Sequence, residues 1–426
     1  MAARVRTADV LVVGGGIIGL AVAWRSAQRG LGVTVLDPDP GRGANQVAAG
    51  MLAPVTELQY GEEPLLRLGI ASNERYAAFA AELSEAAGAG VGYRACGTLA
   101  VALDADDRSE LRELHAFQQR LGLSSDWLTG RECRRLEPLL APSVRGGLLV
   151  GGDHQVDGRR LGAALVAACE RAGVRLHRSR GAELTLAPAA DRATGARAED
   201  GTVFAAGQTV LAAGSWSGEL PGVPPELRLP VRPVKGQVLR LRMESPLGQP
   251  FLSRNVRALV RGGHLYLVPR ADGELVVGAT TEEQGFDTTV TAGGVYELLR
   301  DAHELVPGIT ELELVESSAG LRPGSPDNAP LLGPTALPGL VAATGHHRNG
   351  VLLTPVTADA LAAYLGTGVL PPEAEPFSPA RFAAPAAAAA PVPNRPAPSR
   401  PDPNRPDPNR PAQNRSARSQ TPEAVR

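Results

Sequence analysis

The sequence from Asp9 to Gly19 is Asp-Val-Leu-Val-Val-Gly-Gly-Gly-Ile-Ile-Gly. The apolar residues after Asp9 predict a buried β-strand, and the glycines that follow lead into a helical pattern from Leu20 to Arg29. Residues 32–37 then predict a second strand that ends in an acidic residue, Asp37. A strand, a glycine-rich turn, a helix and a second strand in this order are typical of the first unit of a nucleotide-binding α/β domain.

The glycines of this Gly-x-Gly-x-x-Gly motif have separate roles. Gly14 permits the tight turn, Gly16 lets a pyrophosphate approach the backbone, and Gly19 lets the helix pack closely on the strand. The helix N-terminus supplies free N–H donors for phosphate oxygens, and Asp37 can accept hydrogen bonds from both ribose hydroxyls. The sequence therefore predicts a dinucleotide site, but this motif alone does not choose between FAD and NAD.

The same stretch has a second interpretation as a secretory signal. Arg4 and Arg6 precede the apolar run, and Ala21-Val22-Ala23 resembles a cleavage site. Glycines lie in the middle of the run, where a signal sequence favours leucine, so we prefer the strand–turn–helix interpretation. No stretch reaches the roughly 18 consecutive apolar residues that a membrane span needs. We therefore expect a cytoplasmic protein that does not enter the membrane.

Length and composition limit the classes of protein that remain. The chain has 426 residues and a net charge of -2, so we expect two domains or one large discontinuous domain. Near-neutral charge and 4% aromatic residues argue against nucleic acid or an anionic membrane as the main partner. Cys96, Cys133 and Cys169 form neither a disulfide framework nor a zinc-binding spacing. We expect a reducing compartment and no metal site.

Two further glycine-rich segments favour FAD. Residues 41–54, Gly-Arg-Gly-Ala-Asn-Gln-Val-Ala-Ala-Gly-Met-Leu-Ala-Pro, are mostly small, which suits backbone that passes beneath a large flat ring. The alternative is a flexible loop with a helix cap at Asn45. Residues 345–355, Gly-His-His-Arg-Asn-Gly-Val-Leu-Leu-Thr-Pro, join a strand to a helix whose N–H donors suit the pyrimidine edge of a flavin. Neither segment contains a cysteine, so we predict non-covalent FAD.

The rest of the ordered chain mixes helices and strands. Helices are predicted over residues 65–87, 106–121, 157–172, 294–305 and 355–365. Strands are predicted over residues 97–103, 147–150, 174–176, 208–212, 236–243, 264–269, 274–279, 312–320 and 339–343. Between residues 230 and 315 the strands alternate with glycine turns, which is typical of an antiparallel sheet.

These elements predict a mixed α/β fold with two interleaved domains. A Rossmann-like FAD-binding domain is assembled from discontinuous segments, residues 1–88, 147–220 and 316–375. A mainly antiparallel substrate domain is inserted between them, as residues 89–146 and 221–315.

Composition changes abruptly after Phe382. Residues 383–390 are nearly all alanine, and repeats that contain Pro-Asn-Arg follow as far as Arg410. A segment with frequent proline and almost no large apolar residue cannot bury enough surface to offset its ordering entropy. The sequence predicts a disordered, polyproline-like tail over residues 383–426, either a dispensable appendage or a docking segment.

A larger set of motifs occurs in order from Asp9 to Leu365. Besides GGGIIG, it comprises AAGMLAP (48–54), AAGSWS (212–217), PVKGQ (233–237), YLVPR (266–270), VVGAT (276–280), AGLRPGSPD (319–327) and GHHRNGVLLTP (345–355). The set resembles the glycine oxidases of the D-amino acid oxidase superfamily, enzymes associated with the thiazole branch of thiamine synthesis. Residues 44–46 and His347 depart from the family pattern, which more often has Ser or Thr at the first place and an aromatic residue at the second.

The resemblance implies a set of FAD-contacting residues in several segments. This set is Gly14, Gly16, Ile17, Ile18, Gly19, Asp37, Pro38, Ala44, Asn45, Ala49, Gly50, Met51, Ala182, Gly214, His346, His347, Arg348, Asn349, Gly350, Val351 and Leu352.

The resemblance also implies four residues at the reacting centre. Arg322 offers a planar fork that matches an α-carboxylate, or it forms an ion pair between domains. Tyr266 can donate its hydroxyl to the same carboxylate, and His264 lies two residues before it on the same face of a strand. Alternatively, Tyr266 packs in the core and His264 is an ordinary surface residue. Arg348 faces the substrate, or it binds backbone carbonyls at the start of a helix.

The implied reaction is oxidative deamination of glycine and other small amines or D-amino acids. Hydride transfer from Cα to flavin N5 gives an imine, and orientation and charge complementarity suffice without a general base. Oxygen then yields hydrogen peroxide, and water releases glyoxylate and ammonia. The resemblance further implies a homo-oligomer, such as a tetramer, and handover of glycine imine to a thiazole synthase.

Two other functions stay open. A D-amino acid or sarcosine dehydrogenase of the same fold would pass electrons to a quinone or a carrier protein, and peroxide production discriminates it from an oxidase. A non-catalytic flavoprotein with an interaction tail would have no need of the set Tyr266, Arg322 and Arg348. The sequence does not give the substrate preference, the physiological acceptor or the oligomeric state.

Overall fold

The computed structural model of the chain describes residues 5–179, 182–243 and 251–382. The predicted tail over residues 383–426 lies outside the described residues. Within the described part, the helices are α1 (Ile17–Gln28), α2 (Glu63–Ala87), α3 (Ala105–Arg120), α4 (Gly130–Leu136), α5 (Gly158–Arg171), α6 (Ala292–Leu305) and α7 (Thr354–Thr367).

The strands of the described residues form two large sheets and one short pair. They are β1 (Val5–Val13), β2 (Val33–Leu36), β3 (Met51–Leu52), β4 (Thr98–Ala102), β5 (Asp126–Thr129), β6 (Gly146–Val150), β7 (His154–Gln155), β8 (Arg175–His177), β9 (Ala182–Leu186), β10 (Ala193–Ala198), β11 (Val203–Leu211), β12 (Arg232–Arg242), β13 (Asn255–Val260), β14 (Gly263–Pro269), β15 (Glu274–Gly278), β16 (Glu313–Gly324), β17 (Leu331–Pro334) and β18 (Leu340–Thr344).

The first sheet has the strand order β17-β18-β11-β1-β2-β8. Strand β10 also pairs with β11, and β9 pairs with β10. Its central strands β18, β11, β1, β2 and β8 are parallel, whereas β17, β10 and β9 pair antiparallel. Consecutive residues from Val10 to Val13 are buried, as expected for a strand that is covered on both faces. Helices α1, α2, α5 and α7 cover one face, where Trp24 and Phe79 pack in the same core as Val10.

The second sheet has the strand order β16-β12-β15-β14-β13-β4-β6-β5. Its pairs are antiparallel except for β13 and β4. Along β12 the side chains alternate: Leu239 and Leu241 pack with helix α6, while Gly236 and Val238 line a cavity on the opposite face. This alternation places Gly236 and Val238 on the face of the sheet that adjoins the cavity.

The structure confirms the predicted mixed α/β fold with a parallel and a mainly antiparallel sheet. Two strands differ from the predicted division of the chain, because β6 pairs with β4 and β5 and β16 pairs with β12. Both belong to the second sheet, although residues 147–220 and 316–375 were assigned to the nucleotide-binding part. The sequence does not predict helix α4 or strands β3, β5, β7, β9, β10, β13 and β17. Among the described residues, no helix is long and apolar enough to cross a membrane.

Candidate active site

A cavity of about 1170 Å³ is lined by residues of both sheets. Gly14, Gly16 and Asp37 line the end that adjoins the first sheet, which we call the cofactor end. Tyr266 and Arg322 line the end that adjoins the second sheet, which we call the substrate end. The two predicted groups of site residues therefore line one continuous cavity.

The glycine motif at the cofactor end is shaped by close backbone packing. Gly14 has a φ of 109°, and a Cβ there would lie 2.3 Å from the carbonyl oxygen of Ala212. A Cβ on Gly19 would lie 2.0 Å from the carbonyl oxygen of Gly14, so this glycine brings the helix close to the strand. A Cβ on Gly16, in contrast, would meet no atom within 4 Å. The space beside Gly16 is therefore open toward the cavity.

Helix α1 begins directly after this turn. Gly16 is its N-cap and supplies no side-chain hydrogen bond to the first N–H groups. Unpaired N–H groups and the positive end of the helix dipole form an anion-binding site. A phosphate group in the open space beside Gly16 would satisfy these donors.

Asp37 lies at the end of β2 and lines the cavity. One carboxylate oxygen accepts the Gly15 N–H at 2.7 Å, and the other accepts the Asp39 N–H at 2.8 Å. Burial raises the pKa of the Asp37 carboxyl above its ordinary value, while these two N–H groups act in the opposite direction. Each oxygen keeps a further lone pair, which suits the two hydroxyls of a ribose.

The small-residue segment after Gly43 is held in place by Asn45. Its buried side-chain amide donates to the carbonyl oxygens of Gly41 and Gly158 at 3.0 and 2.9 Å, and its oxygen accepts the Gly43 N–H at 2.9 Å. The chain then reaches Gly50, where φ is 74° and a Cβ would lie 2.0 Å from the Val156 carbonyl oxygen. The side chain of Asn45 thus fixes a backbone that lines the cavity.

The segment after β18 presents two histidines with different surroundings. His346 is buried, and its Nε2 lies 3.1 Å from the hydroxyl of Thr357. Burial lowers the pKa of His346 to about 3. Burial, together with the charges of Arg348, Arg322 and Arg232, lowers the pKa of His347 to about 4. Both imidazoles are therefore neutral at pH 7.

Arg322 projects from β16 into the substrate end of the cavity. Its Nη1 donates to the carbonyl oxygens of Lys235 and Thr280 at 3.3 and 3.2 Å. A Cβ on Gly236 would lie 2.4 Å from both Nη atoms, so the absence of a side chain there makes room for the guanidinium. Among the described residues, Arg322 forms no ion pair. A guanidinium that faces a cavity and has no carboxylate partner among the described residues is suited to an anionic ligand.

Tyr266 lies on β14 beside this guanidinium. A Cβ on Gly278, its cross-strand partner, would lie 2.5 Å from the Tyr266 hydroxyl. Burial raises the pKa of Tyr266, and the charge of Arg322 acts in the opposite direction. The phenol is therefore protonated at neutral pH and can donate a hydrogen bond. His264 lines the same cavity from the exposed start of β14.

Arg348 also lines the cavity, but its charge is already balanced. Its guanidinium lies 2.5 Å from Glu62 and 3.7 Å from Glu57. Glu57 in turn pairs with Arg257 of β13. These four side chains, Glu57, Glu62, Arg257 and Arg348, form a neutral group that we call the charge cluster.

Most of the predicted site residues therefore line one cavity. Three do not: Gly19 packs in the turn, and Asn349 and Leu352 line a small neighbouring pocket. The sequence reasoning assigned no role to Glu57, Arg257, Gly236 or Gly278. The two glycines lie in motifs that it singled out, PVKGQ and VVGAT, whereas nothing in the linear sequence indicates that Glu57 and Arg257 pair.

Comparisons with known proteins identify the family of this chain. A family model described as FAD dependent oxidoreductase (DAO) matches residues 9–364. A bifunctional protein ThiO/ThiG of Synechocystis sp. is 38% identical over 381 residues, which are 88% of this chain and 54% of that protein. This chain thus spans about half of the length of that relative.

Two crystal structures have a similar fold. A glycine oxidase from Geobacillus kaustophilus has a TM-score of 0.79 at 35% identity, over 87% of this chain and 98% of that chain. An iminodiacetate oxidase from Chelativorans sp. BNC1 has a TM-score of 0.77 at 27% identity, over 87% of this chain and 98% of that chain.

The fold and the glycine-lined cofactor end define a flavoprotein oxidoreductase. The chain belongs to the FAD-dependent oxidoreductase (DAO) family, and the predicted relationship to its glycine oxidases is confirmed. FAD is accordingly its cofactor. The cofactor end fits this group, because Gly16 leaves open space beside an uncapped helix N-terminus and Asp37 lies at the end of the second strand.

Proposed function

We propose that the protein oxidises glycine and closely related small amines with oxygen. The observation that carries this proposal is the Arg322 guanidinium, which faces the cavity and forms no ion pair among the described residues. An α-carboxylate is the complementary group, and a planar fork binds it through two parallel hydrogen bonds. The similarity to a glycine oxidase and to a ThiO/ThiG protein supports the same substrate.

The residues of this chain bind and orient the substrate. Arg322 holds the carboxylate, and the protonated hydroxyl of Tyr266 donates a hydrogen bond to it. Met51 and His264 line the remaining wall of the cavity. Fixing the carboxylate at one point limits the positions that Cα can take, which is how a site without a general base accelerates the reaction.

The cofactor end holds FAD without a covalent bond. The turn from Gly14 to Gly16 and the N-terminus of α1 bind the pyrophosphate, and Asp37 binds the ribose. None of the cysteines Cys96, Cys133 and Cys169 lines the cavity, and His346 is already bonded to Thr357. When bound, FAD supplies a two-electron acceptor for the Cα–H bond and passes the electrons to oxygen.

The overall reaction is balanced without a further co-reactant. Glycine, oxygen and water give glyoxylate, ammonia and hydrogen peroxide, through an imine that water hydrolyses. We propose that the same imine serves the synthesis of the thiazole part of thiamine, with a thiazole synthase as partner. The ThiO/ThiG name of a relative supports this role. A homo-oligomer, such as a tetramer, stays a prediction.

The test is direct. The purified holoprotein is assayed for hydrogen peroxide with glycine, sarcosine and a panel of D-amino acids. We expect peroxide in equal amount to the glyoxylate formed from glycine. Reduction of the bound flavin by glycine without peroxide would favour a dehydrogenase with another acceptor, and a flavin that none of these amines reduces would contradict the proposal.

A further inference from the structure

The charge cluster has no part in the function proposed so far. Glu57 pairs with Arg257, and its second oxygen lies 3.7 Å from Arg348. Arg348 also pairs with Glu62 at 2.5 Å. All four side chains are largely shielded, with exposed fractions between 15% and 20%. Charge pairs at this depth are screened less by salt than exposed pairs are.

The charge cluster adjoins the substrate end of the cavity. Arg257 lies directly opposite Tyr266 across β13 and β14. The charges of Arg322, Glu57 and Arg257 all act on the Tyr266 hydroxyl. A ligand whose carboxylate binds Arg322 and Tyr266 would therefore have a second arginine, Arg257, beside it in the same cavity, and Glu57 neutralises that arginine.

Glu57 is held in this position by a separate set of hydrogen bonds. The buried carboxylate of Asp153 accepts the backbone N–H and the hydroxyl of Thr56, both at 2.7 Å, and the Val55 N–H at 3.3 Å. The amide of Gln118 donates to the Val55 carbonyl oxygen at 3.0 Å. The backbone before Glu57 is thus held in place, on the side of the cavity where Arg257 lies.

We propose that Glu57 is a specificity-determining residue that restricts the substrate to one carboxylate. Because Glu57 neutralises Arg257, Arg322 is the single cation without a carboxylate partner among the described residues that line the cavity. A second substrate carboxylate would meet the like charge of Glu57 and find no free partner, which is an arrangement that selects against it. This inference rests on the proposed function, since it takes Arg322 as the carboxylate-binding residue.

The experiment compares ligands that differ only in a second carboxylate. Methoxyacetate and diglycolate are non-reactive probes, and sarcosine and iminodiacetate are the corresponding amines. Binding of the probes to the FAD-loaded protein is measured by calorimetry and by the change in flavin absorbance. Turnover of the amines is measured separately as kcat/KM.

The variant Glu57→Gln keeps the size of the side chain and removes its charge, so Arg257 loses its partner while Arg348 keeps Glu62. We expect the Kd of diglycolate to fall about tenfold, as for a new charge-assisted contact, with less than about a twofold change for methoxyacetate. The ratio of kcat/KM for iminodiacetate to that for sarcosine should rise by a similar factor.

A matched control separates a local contact from a change in net charge. Glu113 lines the same cavity from α3 and forms no ion pair among the described residues. Glu113→Gln removes the same charge without freeing an arginine, so it should leave the preference between the two probes unchanged. An equal gain in diglycolate binding by Glu113→Gln would overturn the proposal.

The double variant Glu57→Gln/Arg257→Gln tests whether the freed arginine is responsible. It should return the Kd of diglycolate to the value of the unaltered protein; a gain that persists would contradict the proposal. If Glu57→Gln loses flavin or stability, Arg257→Gln alone decides. It leaves Glu57 with only its 3.7 Å contact to Arg348, so it should weaken diglycolate binding more than methoxyacetate binding. Equal weakening of the two probes would contradict the proposal.

Failure of the inference can be told from failure of the proposed function. If the protein does not oxidise any amine, the probes still report whether Glu57 excludes a second carboxylate. If the probes behave alike in all variants while glycine is oxidised normally, the proposed function stands and the role of Glu57 falls.

Discussion

The cofactor end and the substrate end of the cavity are built by different means. At the cofactor end, the turn from Gly14 to Gly16 and the start of α1 follow each other directly in the sequence. Backbone N–H groups there are the donors available to a phosphate. At the substrate end, Arg322 and Tyr266 come from strands far apart in the sequence, and side chains supply the charge. A local motif therefore specifies the first end, whereas the second depends on the register of a sheet.

The largest effect is expected from a change in the glycine turn. Gly14→Ala should prevent accumulation of folded holoprotein, because Gly14 has a φ of 109° and its Cβ would overlap the Ala212 carbonyl oxygen. The backbone strain alone costs about 1–3 kcal/mol. Soluble yield and the melting temperature measure this loss.

Gly16→Ala is the informative companion variant. Its added methyl group meets no atom within 4 Å, so the chain should fold with an unchanged melting temperature in the absence of FAD. The methyl group would occupy the space assigned to the pyrophosphate, and the Kd of FAD should rise about tenfold. If Gly16→Ala bound FAD like the unaltered chain, the turn would not hold the pyrophosphate.

At the substrate end, Arg322→Ala should lower kcat/KM for glycine by at least about tenfold, since a charge-assisted bidentate contact is worth about 1.5–3 kcal/mol. Flavin content and melting temperature should stay nearly constant, because among the described residues Arg322 forms no ion pair and bonds to two carbonyl oxygens and the Tyr266 hydroxyl. Steady-state kinetics and the visible spectrum provide the two measurements.

Arg322→Lys serves as the control for this substitution. It keeps the charge but loses the planar fork, so it should restore activity only in part. Loss of flavin in proportion to activity would assign Arg322 a structural role instead, and normal oxidation of glycine would transfer the carboxylate contact to Tyr266 and Arg348.

A smaller effect is expected where the sheet makes room for this arginine. In Gly236→Ala the new Cβ would lie 2.4 Å from both Nη atoms of Arg322, and the flexible end of the side chain should move aside. We expect kcat/KM to fall several-fold, by about 1 kcal/mol, with little loss of stability. Gly263→Ala adds a methyl group to the same sheet outside the cavity and should leave kcat/KM unchanged.

Local patterns in the sequence were sufficient for most of the fold and for the cofactor end. The apolar run before Gly14 and the spacing of the glycines depend only on neighbouring residues. Gly236 and Arg322 become neighbours only because Val234 pairs with Arg322 across β12 and β16. Likewise, the cluster formed by Glu57 and Arg257 depends on where a loop meets a strand, which no linear spacing encodes.

At the cofactor end, the buried His346 makes the free energy of unfolding depend on pH. The pKa of His346 is about 3 in the folded chain against an ordinary value of 6.5, so only the unfolded chain takes up this proton as the pH falls below about 6.5. The stability contributed by the neutral imidazole is complete above that pH and decreases toward about pH 3. Between pH 7.5 and 5.5 the loss amounts to about 1.4 kcal/mol.

His346→Gln should remove this part of the dependence. Unfolding in urea at the two pH values should show a difference about 1.4 kcal/mol smaller for the variant than for the unaltered chain. Asp153, whose pKa is raised to about 7 by burial, acts with the opposite sign but is present in both proteins and cancels. Equal pH dependence in the two would contradict the assignment of a neutral, buried His346.

The smallest effect is expected from removal of residues 383–426, whose proline-rich composition predicts no packed core. A chain that ends at Phe382 keeps Arg381, which binds Asp327 through two hydrogen bonds of 2.8 and 3.1 Å and the Ala329 carbonyl oxygen at 3.0 Å. Its kcat, flavin content and melting temperature should equal those of the full chain. A chain that ends at Ser378 loses these bonds beside the strand that carries Arg322 and should be less stable by about 1 kcal/mol. If the cut at Phe382 instead lowers kcat more than a few-fold, the tail docks on the body and takes part in the site.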